Sequence, residues 1–217
     1  MILAWMWSSD PPPAAAVDIG SGIRLPTYVS GSLSHSWWAM VVVLLVGGSL
    51  YLAYIFSYLY LWTVAPQVWP KAESQILPTL IWPVLSGVLL LFSSAAVAGA
   101  NRSLSDRTVH RFIALIIVAV FALAASLAVE ILGHWGTGLR ANASGYGAMT
   151  YLNSFLQLQV TLPLIVMAAF VLARRLTARL DEVRRVTFDN FGLLWHYVVG
   201  QGLLGLLLVH GFPRLVG

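Results

Sequence analysis

Residues 112–129 read Phe112-Ile-Ala-Leu-Ile-Ile-Val-Ala-Val-Phe-Ala-Leu-Ala-Ala-Ser-Leu-Ala-Val129, with Arg111 before them and Glu130 after. Ser126 is the one polar side chain between those two charges. Such a run has no polar face, so it belongs to a helix that is apolar all round, the pattern of a membrane span. A bilayer's hydrocarbon core is crossed by roughly 20 apolar residues in helical form, because lipid offers no partner to a bare backbone amide. Four further stretches of the 217-residue chain, residues 25–70, 74–101, 141–173 and 190–213, also lack Asp, Glu, Lys and Arg, and each holds an apolar run long enough to span. The chain therefore reads as an all-α integral membrane protein. Its five transmembrane helices are expected over 37–64, 76–100, 111–133, 148–173 and 191–212.

Composition supports this reading: 59% of residues are hydrophobic, 9% are charged and the mean hydropathy is +0.83, which is not the profile of a soluble domain. The pI of about 9.7 rests on Arg and a single Lys scattered through short connections. That is flank charge, and no nucleic-acid partner is expected. With no Cys, the chain has no disulfide framework, iron–sulfur cluster, copper-thiolate site or covalently attached c-type haem.

Residues 1–36 differ from the transmembrane domain, 37–217: a short apolar run, Met1–Trp7, precedes Asp10-Pro-Pro-Pro and a Pro/Gly/Ser-rich stretch. The run is too short to span and has no basic residue ahead of it, so residues 1–36 are expected to form an extended or interfacial arm. Trp37, Trp38, Trp62, Trp69, Trp82, Trp135 and Trp195 fall near expected helix ends, as an aromatic belt requires. Arg24, Arg102, Arg107, Arg111, Arg174, Arg175, Arg179, Arg184 and Arg185 collect on one side, against Lys71, Arg140 and Arg214 on the other. The basic excess places the N-terminus in the cytoplasm and the C-terminus in the periplasm.

Ionisable residues at membrane depth invite functional readings. Glu130, with His134 one turn on, is expected near a helix end as a polar rim residue or a proton relay. His196 and His210 are fourteen apart, which returns a helix to within about 40° of one face and is a spacing that can ligate two stacked haems. A second helix with another such pair is missing, so His196 is expected to hydrogen-bond inside the bundle. Gln157 and Gln159 are two apart and cannot share a face; one should bond to a neighbouring helix. Gly47, Gly48, Ser49, Gly200, Gly202 and Gly205 allow close backbone approach. No nucleophile–base pair, phosphate-cradling loop or metal-ligand spacing stands out, so no catalytic, cofactor or metal residue is expected. A helix bundle without an evident site points to a subunit that packs against a larger partner.

The residues in order resemble cytochrome c oxidase subunit III, of the haem–copper oxidase family. Ser144-Gly-Tyr-Gly-Ala-Met-Thr-Tyr and Leu194-Trp-His-Tyr-Val look like that family's Tyr-Gly and Trp-His-aromatic-Val signatures. Ser86-Gly-Val, the loop Asn101-Arg-Ser-Leu-Ser-Asp-Arg, Val129-Glu-Ile, and Phe56-Ser-Tyr-Leu-Tyr followed by Ala65-Pro and Trp69-Pro resemble further family segments. The likeness runs from about Trp37 to Gly217 and matches the five-helix form, which lacks the first two of seven helices. Gly22-Ile-Arg-Leu-Pro-Thr-Tyr and Ser34-His-Ser-Trp-Trp-Ala-Met look like the junction of a subunit I/III fusion.

The resemblance implies a non-catalytic accessory chain of a bacterial inner-membrane terminal oxidase. It would pack beside subunit I, with subunit II in the complex and cytochrome c as donor. Haem and copper would reside in the partner subunits, and bound phospholipid is expected, with support of proton uptake and complex stability as the role. Arg174, Trp195, His196, Tyr146 and Gln159 are the implied lipid or subunit contacts. Departures accompany the likeness: the family's buried Glu falls on Gly48, its two His on Leu156 and Gln159, and the acid after Trp-His-aromatic-Val on Val199. The equivalent subunit of a quinol oxidase or a nitric-oxide-reductase accessory protein is the nearest alternative. A small di-haem cytochrome b and an independent channel or transporter are more distant ones.

Overall fold

A computed structural model of the chain describes residues 16–26, 34–71 and 74–216. Among the described residues, five spans are long and apolar enough to cross a membrane. They are α1 (His35–Val64), α2 (Ile81–Ser105), α3 (Val109–Gly136), α4 (Gly145–Leu176), and a last span that runs from α5 (Val186–Leu206) through a π turn (Leu207–Gly211) into α6 (Phe212–Val216). The chain is a multi-pass membrane protein. Ahead of the spans, β1 (Ala16–Asp18) and β2 (Arg24–Pro26) form an antiparallel hairpin with Ala16 opposite Pro26. This part of the expected arm is extended; Met1–Trp7 and the triple proline lie outside the described residues.

Most helix ends differ from the expected ones, for local reasons. The second helix starts at Ile81 rather than residue 76, because Pro78 disfavours helical geometry in the residue before it. Pro83 then sits in the first turn, where its missing N–H breaks no helical bond. The third helix starts as soon as the chain has turned through Arg107, whose φ of 58° closes the link. Ser144 caps α4 by accepting from the Gly147 amide at 3.1 Å, so that helix begins three residues early. At its other end α4 runs on through Arg174 and Arg175, whose long stems let the charged heads reach an interface.

The connection after α4 is itself folded. Asp181 Oδ1 accepts from the amides of Val183 and Arg184 at 2.9 and 2.8 Å, and its carboxylate pairs with the Arg184 guanidinium. Arg175 donates to the Leu180 carbonyl at 2.8 Å, and Leu180 is fully buried. Arg185 bridges Asp189 and Asn101, each at 2.8 Å, tying the start of α5 to the end of α2.

Packing divides into two apolar clusters separated by a polar layer, and α4 shows the division most clearly. Its inward stripe runs Tyr146, Met149, then Thr150, Asn153, Ser154, Gln157 and Thr161, then Leu164, Ala168 and Val171, at steps of three and four. Leu164, Ala168 and Val171 join Leu104, Phe112, Ile116, Phe191 and Trp195 in the cluster at the arginine-rich end. Tyr146 and Met149 join Tyr51, Tyr54, Tyr58, Trp69 and Val209 at the other end. The first helix buries only Tyr51, Tyr54 and Tyr58, with Ile55 and Trp62 partly buried beside them, and much of its remaining surface is apolar and exposed.

Trp195 is the largest of the fully buried side chains and packs on Phe191 with ring centroids 5.2 Å apart. Truncating it to Ala is expected to cost on the order of 3 kcal/mol through the cavity left behind, measured as a loss of stability in detergent unfolding. In the α4–α5 connection, partial burial raises the Asp181 pKa, but the hydrogen bonds from Arg184 and the Val183 amide outweigh it and hold the carboxyl below its ordinary 3.8. A depressed acid contributes above its unfolded pKa and loses that contribution as the pH falls through its folded value. Proteolytic protection of this connection should therefore be unchanged from neutral pH to about pH 5. It should drop below pH 3.8, and Asp181→Asn should abolish the transition.

Candidate functional site

Glu130 and His134 are one helical turn apart on α3, so both project from one face. That face is inside: Glu130 is 7% exposed and His134 2%. Glu130 is thus not a wetted rim residue. Its Oε1 accepts from Asn153 Nδ2 at 3.4 Å and from Ser154 Oγ at 3.3 Å, and Asn153 Oδ1 in turn accepts from the Tyr51 hydroxyl at 2.9 Å. One hydrogen-bonded line therefore crosses α1, α4 and α3. Beside it Gln201 donates to Gln157, and Gln157 donates to the Val198 carbonyl at 3.1 Å, linking α4 to α5. A cavity of about 10 Å³ between Ser126, Glu130, Gln157 and Thr161 has room for a single water.

The π turn brings a third group to this face. Pro213 has no N–H to give the carbonyl four residues back, that of Val209, and the Tyr146 hydroxyl donates to it instead at 2.9 Å. Within the π turn the Phe212 amide bonds to the Leu207 carbonyl, five residues back. This wider turn brings His210 into the interior, 3% exposed, where its ring stacks on His134 with centroids 5.1 Å apart and planes 9° from parallel. Glu130, His134 and His210 each present a ligand atom, and these atoms lie within 4.8 Å of one another. Both ring nitrogens of His134 and Nδ1 of His210 are buried with no hydrogen-bond partner. A buried polar group left so typically costs about 1–3 kcal/mol, so three together mark a site rather than an ordinary core.

The π turn also breaks the common face expected for His196 and His210. His196 is exposed; it bonds Ser94 Oγ through Nδ1 at 2.8 Å, so the expected hydrogen bond exists but lies at the bundle's outer surface. Its ring lines a groove of about 500 Å³ with Trp37, Asn101 and Arg185. Two of the implied contact residues belong to the core instead. Trp195 is fully buried, donating to Ser93 Oγ at 3.3 Å, and Tyr146 is 1% exposed with its hydroxyl on Val209. Neither can touch lipid or a partner subunit. Trp195 and Trp69 also leave the aromatic belt: Trp69 is buried and donates to the Tyr58 hydroxyl at 2.9 Å.

Arg174 donates to the Arg179 carbonyl at 3.3 Å and lies 5.8 Å from the Phe170 ring centre, at the end of α4. Gln157 and Gln159 do take different faces. Gln157 is buried in the polar layer, and Gln159 is exposed in a mostly apolar lateral cleft of about 320 Å³ that α1, α4 and α5 enclose with Leu50, Leu156 and Leu194. Tyr51, Asn153 and His210 complete the interior constellation, and sequence reading did not join them to Glu130. The signals available were the four-residue spacing of Glu130 and His134, the Asn153–Gln157–Thr161 stripe, and Pro213 behind His210. No protein-family model matches this chain and no curated protein matches it.

Close approach in this layer depends on glycine at one position above all. A Cβ on Gly205 would lie 2.6 Å from Asn153 Oδ1 and 2.9 Å from the Tyr51 hydroxyl, on the hydrogen bond itself. Gly48 and Gly200, expected to serve the same purpose, have nothing within 4 Å. Gly205→Ala should lower the thermal midpoint in detergent by several degrees, while Gly48→Ala leaves it within about 1 degree, because only the former separates packed polar groups.

Proposed function

We propose that this chain is a non-redox accessory subunit of a bacterial terminal oxidase, of the subunit III kind. It packs beside a larger haem- and copper-bearing subunit, holds phospholipid, and supports proton uptake and complex stability. The observation that carries the reading is the lateral cleft between α1 and the α4–α5 pair. Its walls are mostly apolar, it lies between mid-helix residues rather than at the bundle ends that carry the connections, and Gln159 is a polar side chain within it. An acyl chain suits such a shape better than a soluble metabolite does. The first helix supports the same reading, since three buried tyrosines hold it while its remaining apolar surface faces outwards. In this reading the arginine-rich end is cytoplasmic, the C-terminus is periplasmic, and cytochrome c delivers electrons through subunit II.

The test is the composition of the complex purified from native membranes through a tag on this chain. Expected are a much larger subunit with haem and copper spectra, and phospholipid that survives detergent exchange. A chain that purifies alone with stoichiometric haem, its absorption lost in His196→Ala and His210→Ala, would replace this reading with a small cytochrome b. Ion or solute flux from the chain alone in liposomes would replace it with a channel or transporter.

A further inference from the structure

We propose that Glu130, His134 and His210 form a binding site for one divalent transition-metal ion of the zinc class. Three observations carry it independently of the oxidase reading. The donors are two imidazoles and a carboxylate, a set that suits zinc and neighbouring first-row ions, whereas calcium and magnesium take oxygen ligands almost exclusively. All three are buried, and their ligand atoms lie within 4.8 Å of one another. Donors about 2.0–2.1 Å from a tetrahedral ion are roughly 3.3 Å apart, and each imidazole must aim a nitrogen at the ion within its own ring plane, so binding turns the two stacked rings out of parallel as it draws the donors together.

The second observation is the orphaned nitrogens. Both nitrogens of His134 and Nδ1 of His210 have no hydrogen-bond partner, while Tyr51, Asn153, Ser154 and Glu130 beside them are joined in one hydrogen-bonded line. A ligand atom of His134 has no competing bond to break on metal binding. The third is the support behind the carboxylate. Asn153 and Ser154 both donate to Glu130 Oε1, and Tyr51 fixes Asn153, the outer-shell arrangement that orients a ligating carboxylate. Oε2 is then the oxygen a cation would take.

Placement in the bundle suits an ion that bridges two elements. His134 is two residues from the end of α3 and His210 lies within two turns of the end of the last span, so the site is near one end of the bundle. Bound there, it joins α3 to the π turn, the irregular part of the fifth span. Arg214 donates to the His210 carbonyl and to that of Pro78, which fixes the backbone of the same turn. Three protein ligands leave a fourth position for water, and zinc has no redox chemistry of its own.

The experiment uses the full chain, purified in detergent, stripped with chelator and dialysed against Zn²⁺ or Co²⁺. Expected are about one zinc per chain by elemental analysis, intense visible bands of tetrahedral Co²⁺, and a higher thermal midpoint with Zn²⁺ than without. His134→Ala and His210→Ala should abolish the cobalt bands, and Asn153→Leu, which removes the support and keeps the ligands, should weaken Zn²⁺ affinity by about 10–100-fold. His196→Ala should change nothing. Absence of stoichiometric zinc in the wild-type chain overturns the proposal, and so does binding that survives loss of both His134 and His210. Should an alanine variant fail to fold, His134→Gln and His210→Gln with retained helical circular dichroism take its place. Loss of the oxidase partner in the purification above leaves these measurements unaffected, so the two readings fail separately.

Discussion

Hydrocarbon cannot hydrogen-bond, so a polar side chain inside this bundle that misses a partner on another helix or on its own backbone carries a penalty that lipid does not relieve. That constraint fixes the arrangement more tightly than apolar packing does, because lipid tails are as apolar as leucine and give helices little reason to prefer each other. Asn153 sits where the constraint is most acute. It accepts from Tyr51 of α1 and donates to Glu130 of α3, and Gly205 of α5 leaves it the space to do so. Sliding α4 by one turn, about 5.4 Å, would leave these groups unpaired in a medium with no water to replace the bonds. The polar layer therefore sets helix register, and the apolar clusters on either side fill the volume that register defines.

The two ends of the bundle are held by different means. At the arginine-rich end short connections are knitted by side chains: Arg175 to Leu180, Arg185 to Asn101 and Asp189, Asp181 to its own following amides. At the other end aromatic rings do the work, with Tyr58, Trp69, Tyr146 and Phe212 edge to face. The π turn belongs to this second end and follows from Pro213. Removing one amide frees the Val209 carbonyl, Tyr146 takes it, and the widened turn carries His210 inwards. A covalent restriction in one residue is thus converted into the position of another residue's imidazole.

The five spans were legible because each exceeds the membrane length without charge, a signal that does not depend on tertiary detail. Helix ends were less so: Ser144, Pro78 and Arg107 act through local backbone geometry, and helices run past their apolar runs into charged residues that reach an interface. Burial within the membrane was the least legible property. Trp195 and Trp69 have the composition of belt residues, and only packing shows that both are enclosed. For the site, Glu130 and His134 stand out as ionisable groups at membrane depth, but a spacing of fourteen residues puts His210 on a face with His196. That inference assumed an unbroken α-helix across residues 207–211, and the π turn invalidates it. Asn153 and Tyr51 are ordinary residues whose importance lies in whom they meet across 102 positions of sequence.

The distribution of polarity bears on what the chain does by itself. A channel or proton path needs polar groups or water along its whole length. Here the buried polar side chains are densest between Ser126 and His134 of α3 and between Thr150 and Thr161 of α4, while Ser93, Ser103 and Asn190 are scattered towards the arginine-rich end. Towards the arginine-rich end, Leu123, Leu164, Phe191, Trp195 and Val198 are buried against one another. Those side chains bound the polar layer on that side, and Glu130, His134 and His210 are themselves buried. A buried polar layer of this kind is suited to holding an ion or a proton. The outer surface of α1 and the lateral cleft beside it are, by contrast, mostly apolar and open.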